Sequence, residues 1–298
     1  MKHNSKHIQL MMRNGLVAAA PLAAMLLAAS CSSDKRQTAD SDSLPTAEKD
    51  SIDNFTSPDL GLWHLHGHVS GAAFLSYEVK DENAMPAADA VAGLVSITFD
   101  TRGLLTSLAS GSVEKGEKYL DSELLFTYSD SGEFQSGTDK AAAARGNKVV
   151  IKLSRTSGGY LQVIQALGTD REMSNPDTFV RLLEWTDGTL YSDETEYSEE
   201  GTQRVSYSYN DNGLPDKIVS KITDMSGDIS VEEEYTYTQF DRNGNWTERR
   251  VKCSSEITDG EADGTNMKTT RTVTNRVDRR RIYYYPADAV GNKRHNPL

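Results

Sequence analysis

The sequence predicts an all-β fold, a curled antiparallel sheet of consecutive hairpins with few short helices. Three observations carry that prediction. Apolar and polar residues alternate with period two at Val95, Ile97 and Phe99, at Val205, Tyr207 and Tyr209, and at Tyr235 and Tyr237. Alternation of this kind packs one face of a strand and wets the other. A phrase of aromatic, polar, two variable residues and glycine recurs along the chain, and it reads as a tight turn between strands. Helical periodicity is scarce, confined to a turn or two at Ala87–Ala92 and at Lys140–Arg145 and a short helix at Asp177–Glu184, capped by Asp177.

The chain divides in order. Residues 1–30 read as an export signal. Lys2, Lys6 and Arg13 precede an apolar run from Gly15 to Ala29, and no acidic residue occurs before Asp34. Fifteen helical residues reach about 22 Å, short of the roughly 30 Å hydrocarbon core. The run ends at Ala28, Ala29, Ser30 and Cys31, which resembles the bacterial lipoprotein box, although Leu27 stands one position early. That resemblance implies cleavage after Ser30 and lipidation of Cys31, with Ser32 next to it favouring outer-membrane delivery. Several acyl chains on one residue make a stable anchor.

Residues 31–58 are rich in Ser, Asp, Thr and Lys and read as a flexible tether. Asp42, Ser43 and Leu44, and again Asp50, Ser51 and Ile52, resemble the Asp-Ser/Thr-aliphatic O-glycosylation site of one group of anaerobic Gram-negative bacteria. Ser43 and Ser51 are the implied acceptors. Residues 59–285 form the hairpin domain, and residues 286–298 are a patternless tail.

The full charge is −12 over 298 residues. A signal holding three basic residues and no acidic ones takes it to −15 on removal. That balance argues against nucleic-acid binding, which needs a basic surface. Residues 241–298 depart from it, with 12 basic against 8 acidic side chains.

Within the domain, the turn phrase places Asp100 before Gly103, Ser129 before Gly132, Ser198 before Gly201, Asn210 before Gly213 and Asp241 before Gly244. A polar residue at the first turn position accepts backbone N–H bonds, and glycine at the fourth supplies the left-handed conformation that closes a type I turn with a G1 bulge. Trp185 to Gly188 is a shorter variant. The intervals of 29, 69, 12 and 31 residues between glycines are too irregular for a solenoid. These copies resemble the YD-repeat (Rhs-like) phrase, and most closely the short envelope lipoproteins of that kind. The likeness extends to Leu65, Gly67 and Val69, to the segment from Gly244 to Arg249, and to Arg281, Ile282 and Tyr283. It implies a hairpin architecture, and most such lipoproteins have no assigned activity.

Candidate chemistry is sparse. His64, His66 and His68 sit at i, i+2 and i+4, so on a strand they share one face at steps of about 6.6 Å. That spacing suits Zn²⁺, Ni²⁺ or Cu²⁺, although completing a ligand set requires Glu78 or Asp81 to arrive by folding. The competing expectation is a wet strand face with Trp63, Leu65 and Val69 turned inward. Cys253 reads as a small filler, and Glu232, Glu233 and Glu234 as a solvated run. Tyr207, Tyr209, Tyr235 and Tyr237 share one sheet face, as core packing or as a platform for sugar rings. Arg279, Arg280 and Arg281 read as a final strand with one charged face.

The expectation is therefore a protein anchored to the membrane through Cys31, without catalysis or cofactor. Its β-domain binds or supports a glycan or another envelope protein. The alternative is a metal-dependent or carboxylate enzyme built on the histidine strand.

Overall fold

In the computed structural model the described residues are 53–87, 89–146, 148–156, 159–167, 177–186, 189–197, 201–224, 227–259, 267–286 and 289. Cys31, Ser43 and Ser51 lie outside them. Fourteen strands follow one another: β1 (Val69–Val79), β2 (Ala92–Phe99), β3 (Leu105–Glu114), β4 (Glu117–Tyr128), β5 (Phe134–Asp139), β6 (Lys148–Thr156), β7 (Gly159–Leu167), β8 (Asp177–Thr186), β9 (Thr189–Tyr197), β10 (Gly201–Tyr209), β11 (Pro215–Asp224), β12 (Gly227–Phe240), β13 (Trp246–Asp259) and β14 (Lys268–Tyr284).

Each strand pairs antiparallel with its chain neighbours, and β14 returns to pair with β1 from Val69↔Tyr284 to Val79↔Asn275. The curled sheet thus closes into a barrel. The thinnest seam is β5 to β6, with the single registered pair Gly137↔Ile151. Closure leaves every strand with a neighbour on each side, and the β5–β6 seam is where the ladder is sparest.

Period two sets the inner face. Phe74 pairs with Val95 and Arg280, Ala72 with Ile97, and Leu108 with Leu124. All of these point inward, and the apolar ones join one core with Leu60, Trp63, Leu65, Phe99, Phe126 and Trp246. A second inward cluster joins Val205, Ile218, Tyr235 and Val251, with Tyr207 and Tyr237 against it. The alternating tyrosines therefore belong to the core. Among the described residues, the outer face of β11–β14 carries ion pairs: Lys217 meets Glu232, Lys252 meets Glu234, and Arg271 meets Glu256. One outer region is apolar, where Leu75, Tyr77, Ala92, Leu94 and Val113 pack together. The β1–β2 connection reaches over it, and Arg250 Nη1 donates to the carbonyls of Glu82 and Ala84.

Two helices accompany the sheet among the described residues. Lys140–Ala144 is capped by Asp139 and fulfils the expected turn. Pro58–Leu62 was not foreseen. Ser57 caps it by accepting from Leu60 N–H, and Pro58 opens it, where a missing N–H costs nothing. Two sequence expectations give way. Asp177–Glu184 is the body of β8, paired with both β7 and β9, rather than a helix. Its apolar residues Phe179, Val180, Leu182 and Leu183 fit either period, and tertiary pairing decides. Residues 87 and 89–91 form no helix either, and Ala92 opens β2.

Candidate functional site

The recurring phrase builds one rim. At Asp100, Ser129, Asn210 and Asp241 the backbone N–H donates to the residue four positions on. The glycine three positions on, at Gly103, Gly132, Gly213 and Gly244, donates back to the first turn residue. These glycines have φ of 76°, 86°, 72° and 78°. The first side chain also accepts, as Asp100 Oδ1 does from the N–H groups of Arg102 and Leu104. Because each of these turns joins an even strand to an odd one, all four lie at the same end of the barrel. The Tyr197–Gly201 copy joins β9 to β10 and lies at the opposite end. There Gly201 is itself the first rung, paired with Tyr197, rather than the fourth residue of a G1-bulged turn.

The segment 53–68 enters at the phrase rim and fills it. Ser57 Oγ donates to the Gly103 carbonyl and Asp59 Oδ2 accepts from Leu105 N–H. Asn245 holds the backbone of His66 from both sides, accepting from its N–H at 2.8 Å and donating to its carbonyl at 2.9 Å. Residues 53–57, at the end of the stretch read as a tether, already touch the body: Phe55 stacks on the His68 ring at 4.1 Å, and Asp53 accepts from His68.

This plug removes the histidine strand. His64 has a left-handed backbone at φ 49° and Gly67 at φ 88°, and β1 begins only at Val69. His64 packs edge-on to Tyr209, His66 is exposed, and His68 faces Asp53. The three imidazoles do not share a face, and among the described residues no cluster of three or more metal-ligating groups forms. Burial, and then the nearby Arg280 and Arg249 guanidinia, push the His64 pKa down to about 3. It remains a neutral side chain against the barrel wall.

Deeper inside lies a network of charges. Arg249 binds Asp278 through Nε and Nη2, both at 2.9 Å. Arg276 reaches Asp278 through Nε and Glu233 through Nη1, while Ser76 and Tyr235 donate to Asp278 and Glu233 respectively. Burial alone raises the Asp278 carboxyl, but Arg276 and Arg249 outweigh it and hold the pKa below the ordinary value. Arg280 has a different solution. It donates to the carbonyls of Trp246, Trp63 and His64 and lies 4.2 Å from the Trp246 ring centroid. It therefore ties the plug to the wall. The expected single charged face of the final strand becomes two, because Arg280 points in while Arg279 and Arg281 point out. Glu233 likewise turns inward between Glu232 and Glu234. Cys253 is half-buried, and burial, then Glu233, raises its pKa. A raised thiol is a poor nucleophile.

The outer wall near the phrase rim carries an open groove of about 410 Å³. Leu75, Gln239, Thr247, Glu248, Arg279 and Arg281 line it. Arg279 Nε is 2.8 Å from Glu248 Oε2. Arg281 is exposed, and Tyr283, two residues along the same outer face, is 49% exposed. Sequence reasoning missed this site because its walls come from four strands. The one local signal was the Arg-Ile-Tyr run closing β14.

No family model matches the chain, and no curated protein matches it. Among solved structures it is similar to a porin-like protein from Bacteroides uniformis. The identity is 12%, the match covers 72% of this chain and 96% of that one, and the TM-score is 0.36.

Proposed function

We propose that the chain is a lipid-anchored protein of the bacterial cell envelope, held at the outer membrane through Cys31. Its β-body serves as a binding or structural module and performs no chemistry of its own. The partner is a glycan or another envelope protein. One observation carries this reading. Among the described residues, the inward charges Arg249, Asp278, Arg276 and Arg280 bind one another or backbone carbonyls, although Arg276 Nη2 is left without a partner. The outer wall presents exposed groups such as Arg281 and Tyr283 to a partner, and binding there asks for shape and charge rather than activated nucleophiles. The lipoprotein box and the YD-repeat-like phrase support the same assignment.

Two measurements test it. Cells expressing the full chain and fed a palmitate analogue incorporate label, and Cys31→Ala abolishes it; label that persists in the variant removes the anchor. The purified mature chain is retained on a glycan array or by isolated envelope. Retention by neither, together with turnover of a small substrate, overturns the non-catalytic reading.

A further inference from the structure

Resting on the binding-module reading, we infer that the outer groove at Arg279 and Arg281, with the exposed Tyr283 further along the same strand face, takes a saccharide chain bearing carboxylates. The mature chain is strongly acidic, yet this patch of the wall presents two guanidinia, two residues apart on one strand face. Their Cα atoms stand about 6.6 Å apart along a strand. Glu248 occupies Nε of Arg279. The structure records no carboxylate on Arg281 among the described residues. A guanidinium fork in that state matches a planar carboxylate in two-point geometry.

The other walls fit a pyranose. Leu75 supplies an apolar floor, Gln239 and Thr247 supply an amide and a hydroxyl, and Tyr283, outside the groove but two residues from Arg281 on the same face of β14, exposes an aromatic ring. Sugar rings stack their C–H faces on aromatic rings and satisfy their hydroxyls with amides and hydroxyls. On the neighbouring strand, Gly71 stands opposite Tyr283 and Ala73 opposite Arg281. A Cβ at Gly71 would meet the Ile97 carbonyl at 2.8 Å, so the wall beside the tyrosine stays low. The groove is shallow and open to solvent rather than enclosed, so it can meet a polymer from the surface.

The test uses the full mature chain and titration calorimetry with three probes: an oligogalacturonate, a neutral galactan oligomer of equal length, and inorganic phosphate. The oligogalacturonate binds, the neutral oligomer does not, and binding weakens as salt rises. Arg281→Gln weakens it at least about 10-fold, the loss of one charge-assisted contact. Tyr283→Ala weakens it by a smaller factor, and Lys252→Gln, on the neighbouring outer face, leaves it unchanged. Both residues are exposed, so the variants fold. Binding to the oligogalacturonate that Arg281→Gln does not alter overturns the groove assignment. Equal Arg281-dependent binding of inorganic phosphate overturns the sugar and points to a phosphate headgroup. Neutral-oligomer binding insensitive to both substitutions sinks this inference while leaving the binding-module reading intact. No binding to any probe also overturns it.

Discussion

The same three strands carry ion pairs on both faces of the wall, and the two sets do different work. Inside, Arg249 and Asp278 have side chains only 3% and 8% exposed. Outside, Lys252 and Glu234 are 52% and 50% exposed, 3.3 Å apart. Water screens the outer pair, so it contributes little. The inner pair has lost its water, so each charge depends on its partner. The basic character of the last fifth of the chain therefore has two meanings. Arg249, Arg276 and Arg280 fill the barrel, whereas Lys252, Arg271, Arg279 and Arg281 belong to its outer surface.

Removing one inner partner tests this contrast most severely. Asp278→Asn strands Arg249 and leaves Arg276 with Glu233 alone, and about 3–5 kcal/mol of stability is lost in urea unfolding. If the loss is below about 1 kcal/mol, in the range of an exposed pair, the network is not buried as described.

The rim turns offer a second, smaller contrast. Gly213 and Gly103 have nearly the same backbone, at φ 72° and 76°. A Cβ at Gly213 meets nothing within 4 Å, whereas one at Gly103 meets Ser57 Oγ at 2.6 Å. Gly213→Ala costs about 1–2 kcal/mol from the left-handed conformation alone. Gly103→Ala costs more, because the plug must shift as well. Equal midpoints for the two variants contradict the seating of Ser57.

His64 gives a pH dependence. Its folded pKa, about 3, lies below the unfolded value of 6.5. The unfolded chain binds the extra proton between those values, so the contribution is complete above pH 6.5 and falls away toward pH 3. His64→Asn, which tolerates the left-handed backbone, flattens that part of the acid-unfolding curve. A curve unchanged by the substitution shows that His64 is as hydrated as a free imidazole.

The smallest effect belongs to the outer face. Lys252→Gln changes stability by less than about 0.5 kcal/mol, as exposed pairs do. A larger loss, read in the same urea titration, removes the distinction between the faces.

Much of this was legible in the sequence, for a local reason. Alternation at Val95–Phe99 and Val205–Tyr209 and the four rim turns are encoded within five to seven residues. What failed was non-local. The histidines suggest a strand only until Asn245, 179 residues away from His66, is seen to hold their backbone in the plug. The helix Pro58–Leu62 is one turn long, and its signals vanish in a polar stretch. Arg280 turns inward because Trp63, His64 and Trp246 offer carbonyls there. Nothing near Tyr283 in the chain announces that Gln239 and Thr247 complete a groove.

Closure of the barrel is the central claim, because it creates an inside for these charges to fill. Amide hydrogen exchange on the β1–β14 ladder tests it directly. The account predicts that the hydrogen-bonded amides of Ala72–Ser76 and Asp278–Ile282 exchange as slowly as those in the middle of β12 and β13, through global unfolding. Exchange there as fast as in the β1–β2 connection would show an open sheet and contradict the account.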